Sequence, residues 1–294
     1  MARVTVPATS ANLGPGFDSL GLALDLRDEL EAEVAGSGLV VEVSGEGAAE
    51  VPRDEGHLVV RAMRAAFDVL GGQPAGLRLT CRNTIPHARG LGSSSAAIVG
   101  GLVLARALVD GGGESLDDAA LLELAVSMEG HPDNVAPALH GGFVISGRDD
   151  RGETYAVGAP VDARVGAVLL VPPDPLSTEV ARGLLPSTVP HADAAADAGR
   201  AALLVAALAA RPDQLWRATR DYLHQDYRRP AMPASLEVVD RLRADGLAAV
   251  VSGAGPTVLC LVVDGTDVAA YCPDGWAHHR LAVDTRGAVV LPVV

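Results

Sequence analysis

Pro86-His-Ala-Arg-Gly-Leu-Gly-Ser-Ser-Ser-Ala96 is the stretch from which the fold can be read. Before it, Leu77, Leu79 and Cys81 alternate with Arg78, Thr80 and Arg82, a period of two that predicts a strand. After it, an apolar, Ala-rich run from Ser94 to Val109 ends at Gly111-Gly-Gly113, which predicts a helix with a glycine stop. A Gly-rich loop therefore joins a strand to a helix N-terminus, with three serines in the first turn. Gly90 and Gly92 let the backbone bend sharply and come close to a ligand. The first helical turn leaves N–H groups unpaired at the positive end of the macrodipole. Two readings are open: an anion site, most naturally for phosphate, or a flexible loop whose serines cap the helix.

Composition narrows the choice. A chain of 294 residues can bury a large core in one or two domains. Its net charge of −14 makes nucleic acid and anionic membranes poor partners, and both are excluded here. All 23 basic residues are arginine. That rules out a lysine-bearing nucleotide loop, a lysine Schiff base and a protein-kinase lysine. A bound phosphate has to be held by backbone N–H groups, hydroxyls, arginine or a cation. Cys81, Cys260 and Cys272 are odd in number and lack metal-ligand spacing, which fits a reduced, cytoplasmic setting. The first residues have no apolar signal core, and the longest apolar run, Ala201 to Ala210, is too short to span a bilayer.

Outward from the central loop, the pattern is mixed. Arg3 to Val6 predicts a strand, followed by a loop of turn formers, Pro7-Ala-Thr-Ser-Ala-Asn-Leu-Gly-Pro-Gly-Phe-Asp18. Leu20 to Leu26, Glu31 to Ala35 and Leu39 to Val43 read as strands, with Gly36-Ser-Gly38 as a hairpin turn. Helices are expected over Leu58–Leu70 and Leu116–Met128, the second ending at a polar loop, Glu129-Gly-His-Pro-Asp-Asn134. Phe143–Ser146 and Thr154–Val157 are expected to pair, and Val165–Val171 reads as a buried strand. Beyond it, helices are expected at Ser177–Leu185, Asp193–Ala210, Pro212–His224 and Ser235–Asp245. Strands at Ala248–Val251 and Thr257–Val263 flank Ser252-Gly-Ala-Gly-Pro256, and others lie near Leu281 and Val289. The order lacks regular βαβ alternation, so the fold class is α+β. Gly14-x-Gly16 is not followed by a helix at dinucleotide spacing, so a Rossmann fold is rejected.

Three Gly-rich loops, 7–18, 86–96 and 252–256, each follow an apolar strand and could converge on one site. Together with Glu129-Gly-His-Pro-Asp-Asn-Val-Ala-Pro-Ala138 and Gly141-Gly142, they resemble the motifs of the GHMP small-molecule kinases, in particular the homoserine kinase branch. The likeness runs from residue 3 to about 263. It implies a two-domain fold: an N-terminal ATP-binding domain (1–160) like the second domain of ribosomal protein S5, and a ferredoxin-like C-terminal domain (161–294).

The resemblance also implies a division of labour. Pro86, His87, Ala88, Arg89, Gly90, Leu91, Gly92, Ser93, Ser94, Ser95 and Ala96 carry the phosphates of ATP. Ser94 and Glu123 match the positions that hold Mg²⁺, a hard cation suited to oxygen ligands. Arg182 and Arg228 match carboxylate-binding positions, for which a planar guanidinium is suited. Thr178 and Gly253 share that pocket, Asp18 holds an ammonium, Asn12 and Asn134 orient the reacting hydroxyl of L-homoserine, and His131 is a pocket residue or the positioner of Asn134. The resemblance implies no dedicated base, the γ-phosphate itself taking the proton, with Asp133 as the alternative base. Asp226 and His57 depart from the family pattern, where proline and asparagine are common. The activity implied is ATP-dependent phosphorylation of L-homoserine, a step toward threonine, by a chain for which a homodimer is allowed. The rivals are another GHMP alcohol kinase and a non-catalytic nucleotide-binding regulator.

Overall fold

Two sheets organise the chain in the computed structural model, which describes residues 1–292. The first sheet has seven strands in the path β11 (Val289–Leu291), β1 (Ala2–Asn12), β2 (Gly16–Ala35), β4 (Gly76–Asn83), β3 (Gly38–Gly45), with β5 (Phe143–Arg148) on β2 and β6 (Thr154–Ala159) on β5. Strands β1 (Ala2–Asn12) and β2 (Gly16–Ala35) are antiparallel and much longer than the alternation alone predicts. Val4 and Val6 are buried while Arg3 and Thr5 are half-buried, the pattern of a strand with one face on a core. The expected loop 7–18 is therefore mostly strand, and only residues 13–15 lie between the two. Pro7 has no N–H for the ladder, and the register shifts at Pro7/Ala8 absorb it.

The Gly36-Ser-Gly38 turn does not close a hairpin. Strand β3 (Gly38–Gly45) leaves β2, and α1 (Leu58–Val69) returns the chain to β4 (Gly76–Asn83). β4 inserts between β2 and β3, and it pairs in parallel with β3. A helical crossover is what a parallel pair requires. Helix α2 (Ser93–Leu108) lies under this sheet at Gly100, where a Cβ would meet Leu30 and Val6, and against α1 at Gly101, where it would meet Val59 and Ala62. A one-turn α3 (Gly112–Ser115) leads to α4 (Asp118–Glu129), capped by the Asp117 side chain on the Ala120 N–H. The predicted polar loop 129–134 is cut short, because α5 (Pro132–His140) starts there with proline at its first position, where no N–H is needed. β5 (Phe143–Arg148) and β6 (Thr154–Ala159) form the expected antiparallel pair.

The second sheet runs β10-β7-β9-β8, all antiparallel, from β7 (Val165–Val171), β8 (Ala248–Val251), β9 (Val258–Val263) and β10 (Ala277–Leu281). Helices α6 (Thr178–Gly183), α7 (His191–Ala210), α8 (Leu215–Ala218) and α9 (Pro233–Ala244) fill the span between β7 and β8. Alternate residues of β7 divide its faces. Val165, Ala167, Leu169 and Val171 join the main core with α7, while Val168 and Leu170 pack with α9. The predicted helix 212–224 is a correction: a 3₁₀ turn and α8 end at Ala218, and 219–225 is irregular. The cause is Asp221, whose carboxylate takes the N–H groups of Leu223, His224 and Gln225. A 3₁₀ turn over Asp226–Ala231 then leads into α9. The last strand, β11 (Val289–Leu291), crosses back to pair with β1. A division at 160/161 therefore separates the two sheets but leaves one strand of the first sheet in the second segment. Among the described residues, no helix is long and apolar enough to cross a membrane.

Candidate active site

The three Gly-rich loops do meet. Asn12 Nδ2 donates to the Gly253 carbonyl at 2.9 Å, and Ser252 Oγ donates to the Gly90 carbonyl at 2.6 Å and lies 2.8 Å from Ser10 Oγ. Around this junction lie two cavities of about 260 and 240 Å³ with Ser93 and Ser94 on the wall of both. The first is charged and polar, bounded by Asn12, Glu129, His131, Asn134, Arg182 and Arg228. The second is mainly apolar, bounded by Leu30, Val51, Pro52, Leu58 and Val59, with His57 and His87. Burial holds both histidines below the usual imidazole range.

The serine turn between the cavities has the anion-site geometry. Gly92 caps α2 at φ 68°, and a Cβ there would lie 2.0 Å from Thr9 Oγ1. No side chain caps the helix, and its first internal bond runs from Ala96 N to Gly92 O. The N–H groups of Ser93, Ser94 and Ser95 are thus left for a ligand. Ser95, Ala96 and Leu91 are buried and shape the turn from beneath. Arg89 does not face a phosphate. Its guanidinium donates to the carbonyls of His87, Pro172 and Pro173, tying the loop to the end of β7. The loop's positive potential therefore comes from backbone dipoles.

The two metal-binding candidates are not brought together. Glu123 accepts the Thr154 N–H and faces β6. Glu129, further along α4, accepts Ser94 Oγ at 2.6 Å and Ser95 Oγ at 2.9 Å. The correction has a simple geometric cause. Six residues on a helix displace a side chain by about 9 Å and turn it by about 120° relative to the first. One carboxylate and two hydroxyls are hard oxygen donors that suit Mg²⁺ alongside phosphate oxygens and water. No cluster of three His, Cys, Asp or Glu that could hold a metal by itself occurs among the described residues.

At the polar end, Thr9 Oγ1 donates to Asn134 Oδ1 at 2.8 Å, which leaves the Asn134 amide N–H groups to the cavity. Thr9 lies inside the first motif, and its place there is its one signal in the sequence. His131 Nδ1 lies 2.6 Å from Asp133 Oδ1. Burial pulls the His131 imidazole down, but the Asp133 hydrogen bond and charge outweigh it, and the net shift is upward. Asn12 bridges loops: besides Gly253, its Oδ1 accepts the Asp18 N–H at 3.0 Å.

The C-terminal domain supplies the cations. Arg182 on α6 makes a two-pronged ion pair with Asp18, at 3.0 and 2.6 Å, and that contact raises its pKa. Thr178, one turn earlier, lies at the exposed cavity wall. Arg228 is only 1% exposed and has no carboxylate within ion-pair distance among the described residues. Burial, then the repulsion of Arg182, pulls its guanidinium down to about 10. The Phe17 ring carries both arginines, at 5.4 and 5.6 Å from its centroid. The wall therefore offers one unpaired cation beside one ion pair.

Known proteins resemble this chain along nearly its whole length. Residues 57–142 match the GHMP kinases N terminal domain and residues 195–272 the GHMP kinases C terminal domain. A homoserine kinase of Streptomyces avermitilis is 58% identical over 99% of this chain and 96% of its own length. A crystal structure of homoserine kinase from Cytophaga hutchinsonii superposes with a TM-score of 0.85 at 27% identity, covering 99% of this chain and 97% of that one. A structure of a putative homoserine kinase from Listeria monocytogenes gives 0.76 at 31% identity over the whole of both chains.

Proposed function

The chain belongs to the GHMP kinase family, and we propose that it transfers the γ-phosphoryl group of ATP to the side-chain hydroxyl of L-homoserine, in the threonine pathway of the cytoplasm. The observation that carries the substrate is the charge pattern of the polar cavity. An amino acid offers a carboxylate and an ammonium. Among the described residues Arg228 has no anion within ion-pair distance, and the Asp18–Arg182 pair can open to give one charge to each end of a zwitterion. An alcohol without an amino-acid head matches neither.

Each part of the site then has a task. The apolar cavity takes the flat base of ATP, and the free N–H groups of Ser93 to Ser95 take its phosphates. Glu129 and Ser94 would hold Mg²⁺, in place of Glu123 and Ser94. Bound there, the cation would neutralise charge on the phosphate oxygens. Arg182 and Arg228 fix the carboxylate and so place the hydroxyl near the serine turn. The Asn134 amide can donate to that hydroxyl oxygen, which turns the hydroxyl proton toward the phosphate. The new O–P bond forms as the β–γ bridge breaks, and the proton passes to the transferred phosphate. Asp133 serves as the partner that holds His131, its Oδ1 being engaged by that ring. The test is ADP release with a panel of acceptors. L-homoserine should be preferred strongly; no activity on it, or equal activity on mevalonate, would contradict the assignment.

A further inference from the structure

Among the described residues the Arg228 side chain makes two hydrogen bonds, both through Nη1, and one ends on a side chain that has no task so far. Nη1 donates to the Gly253 carbonyl and to His224 Nδ1, each at 3.1 Å. His224 is fully buried, and its other nitrogen, Nε2, lies 2.8 Å from the Gly14 carbonyl. A carbonyl oxygen can only accept, so Nε2 carries the ring proton and Nδ1 presents a lone pair. That tautomer is the one able to receive a guanidinium N–H. Burial holds the ring neutral, below the usual imidazole range, so it adds no second cation beside Arg228.

Both ends of the contact are fixed. Asp221 gathers the N–H groups of residues 223–225 and so sets the backbone at His224. On the far side, Gly14 sits at φ 89°, and a Cβ there would lie 2.6 Å from the Thr219 carbonyl. Only glycine lets the turn between β1 and β2 close on the second domain at this point. Phe17 packs on the imidazole, ring centroids 5.2 Å apart, and closes it from the cavity.

We propose that His224 is the positioning residue for Arg228: it reads the place of the Gly14 turn through Nε2 and fixes the guanidinium through Nδ1, so that Nη2 remains for the substrate's carboxylate. This rests on the homoserine reading above and assigns the link between the N-terminal turn and the carboxylate site. A hydrogen bond to a buried charged group is worth roughly tenfold or more in binding.

Two amide variants separate the two ring nitrogens. Asparagine places an oxygen near the Nδ1 position, and glutamine places an N–H near Nε2. His224→Gln, which gives up the acceptor for Arg228, should raise the homoserine KM roughly tenfold or more with the ATP KM within about twofold of wild type, and His224→Asn, which keeps that acceptor but gives up the Gly14 contact, should raise the homoserine KM distinctly less. In an Arg228→Met background the glutamine change should add no further loss. Equal effects of the two variants, a parallel rise in the ATP KM, or an independent second loss in the double variant would overturn the inference. Long-range ¹H–¹⁵N spectra of the unaltered protein, with His224→Asn used for assignment, should show Nε2 protonated and Nδ1 bare. An imidazolium or the opposite tautomer would overturn it even if no variant folds. If the wild type fails to phosphorylate homoserine, the substrate reading falls, and the spectra still decide the His224–Arg228 contact.

Discussion

Replacing Arg228 with methionine should weaken the substrate while leaving the fold as stable or more so. The guanidinium is drawn down from its ordinary value to about 10 by burial and then by Arg182. A depressed base is at a disadvantage in the folded state wherever it is charged, so the whole penalty is present at neutral pH. At about 1.4 kcal/mol per tenfold change in acidity, it is about 3 kcal/mol. Against this, the variant strips a donor from His224 Nδ1, at about 1–3 kcal/mol for a buried orphan acceptor. The Gly253 carbonyl keeps its bond from Asn12, and the vacated volume adjoins the polar cavity. The net change in unfolding free energy is therefore about 0 to +2 kcal/mol. Substrate behaves oppositely: losing a charge-assisted contact of about 1.5–3 kcal/mol lowers kcat/KM for homoserine roughly 10- to 150-fold. The assay is urea unfolding with and without L-homoserine, beside steady-state kinetics. Wild type should gain about 2.7 kcal/mol at a homoserine concentration 100 times its Kd, and the variant should gain far less at that concentration. A variant several kcal/mol less stable but with unaltered homoserine kinetics would refute the reasoning and make Arg228 a structural strut.

Two further outcomes follow from the site. Glu129→Gln should raise the Mg²⁺ concentration needed for half-maximal activity by roughly tenfold or more, whereas Glu123→Gln should cost stability through Thr154 and leave the Mg²⁺ requirement alone; a titration of rate against Mg²⁺ for both variants checks this. His131 should titrate above the ordinary imidazole value in the wild type, and Asp133→Asn should drop its midpoint below that value, because burial and the Arg182 charge are then opposed by Glu129 alone. A raised histidine stabilises the fold fully below the unfolded value, and that contribution fades as pH rises through the folded one, so the stability difference between wild type and Asp133→Asn should shrink above that window. Midpoints from histidine NMR and unfolding at several pH values measure both.

The local parts of this protein were readable from its residues, and the non-local parts were not. The strand, glycine loop and helix around Gly90 and Gly92 announce themselves because each signal lies within a few residues of the next. The partner of β3 does not. Gly36-Ser-Gly38 has hairpin chemistry, yet β4, returning after α1, takes the place beside β2, and no local cue marks that insertion. Glu123 and Glu129 share one helix, and only packing against α2 and β6 decides which of them meets Ser94. Arg182 and Asp18 are 164 residues apart, so their place in one pocket was legible only through likeness to a family, and their ion pair was not legible at all. His224 was hidden in a span whose spacing predicts one helix from 212 to 224. The cue that could have exposed it was Asp221, a residue that prefers to cap rather than continue a helix.

The most direct test of the account compares L-homoserine with the same amino alcohol in which the carboxylate is reduced to a second hydroxyl, by kcat/KM for phosphorylation of the shared side-chain hydroxyl followed by ³¹P NMR. If Arg182 and Arg228 hold the substrate by its carboxylate, the reduced compound should be poorer by roughly 100-fold or more, corresponding to two charge-assisted contacts. Comparable rates for the two acceptors would contradict it.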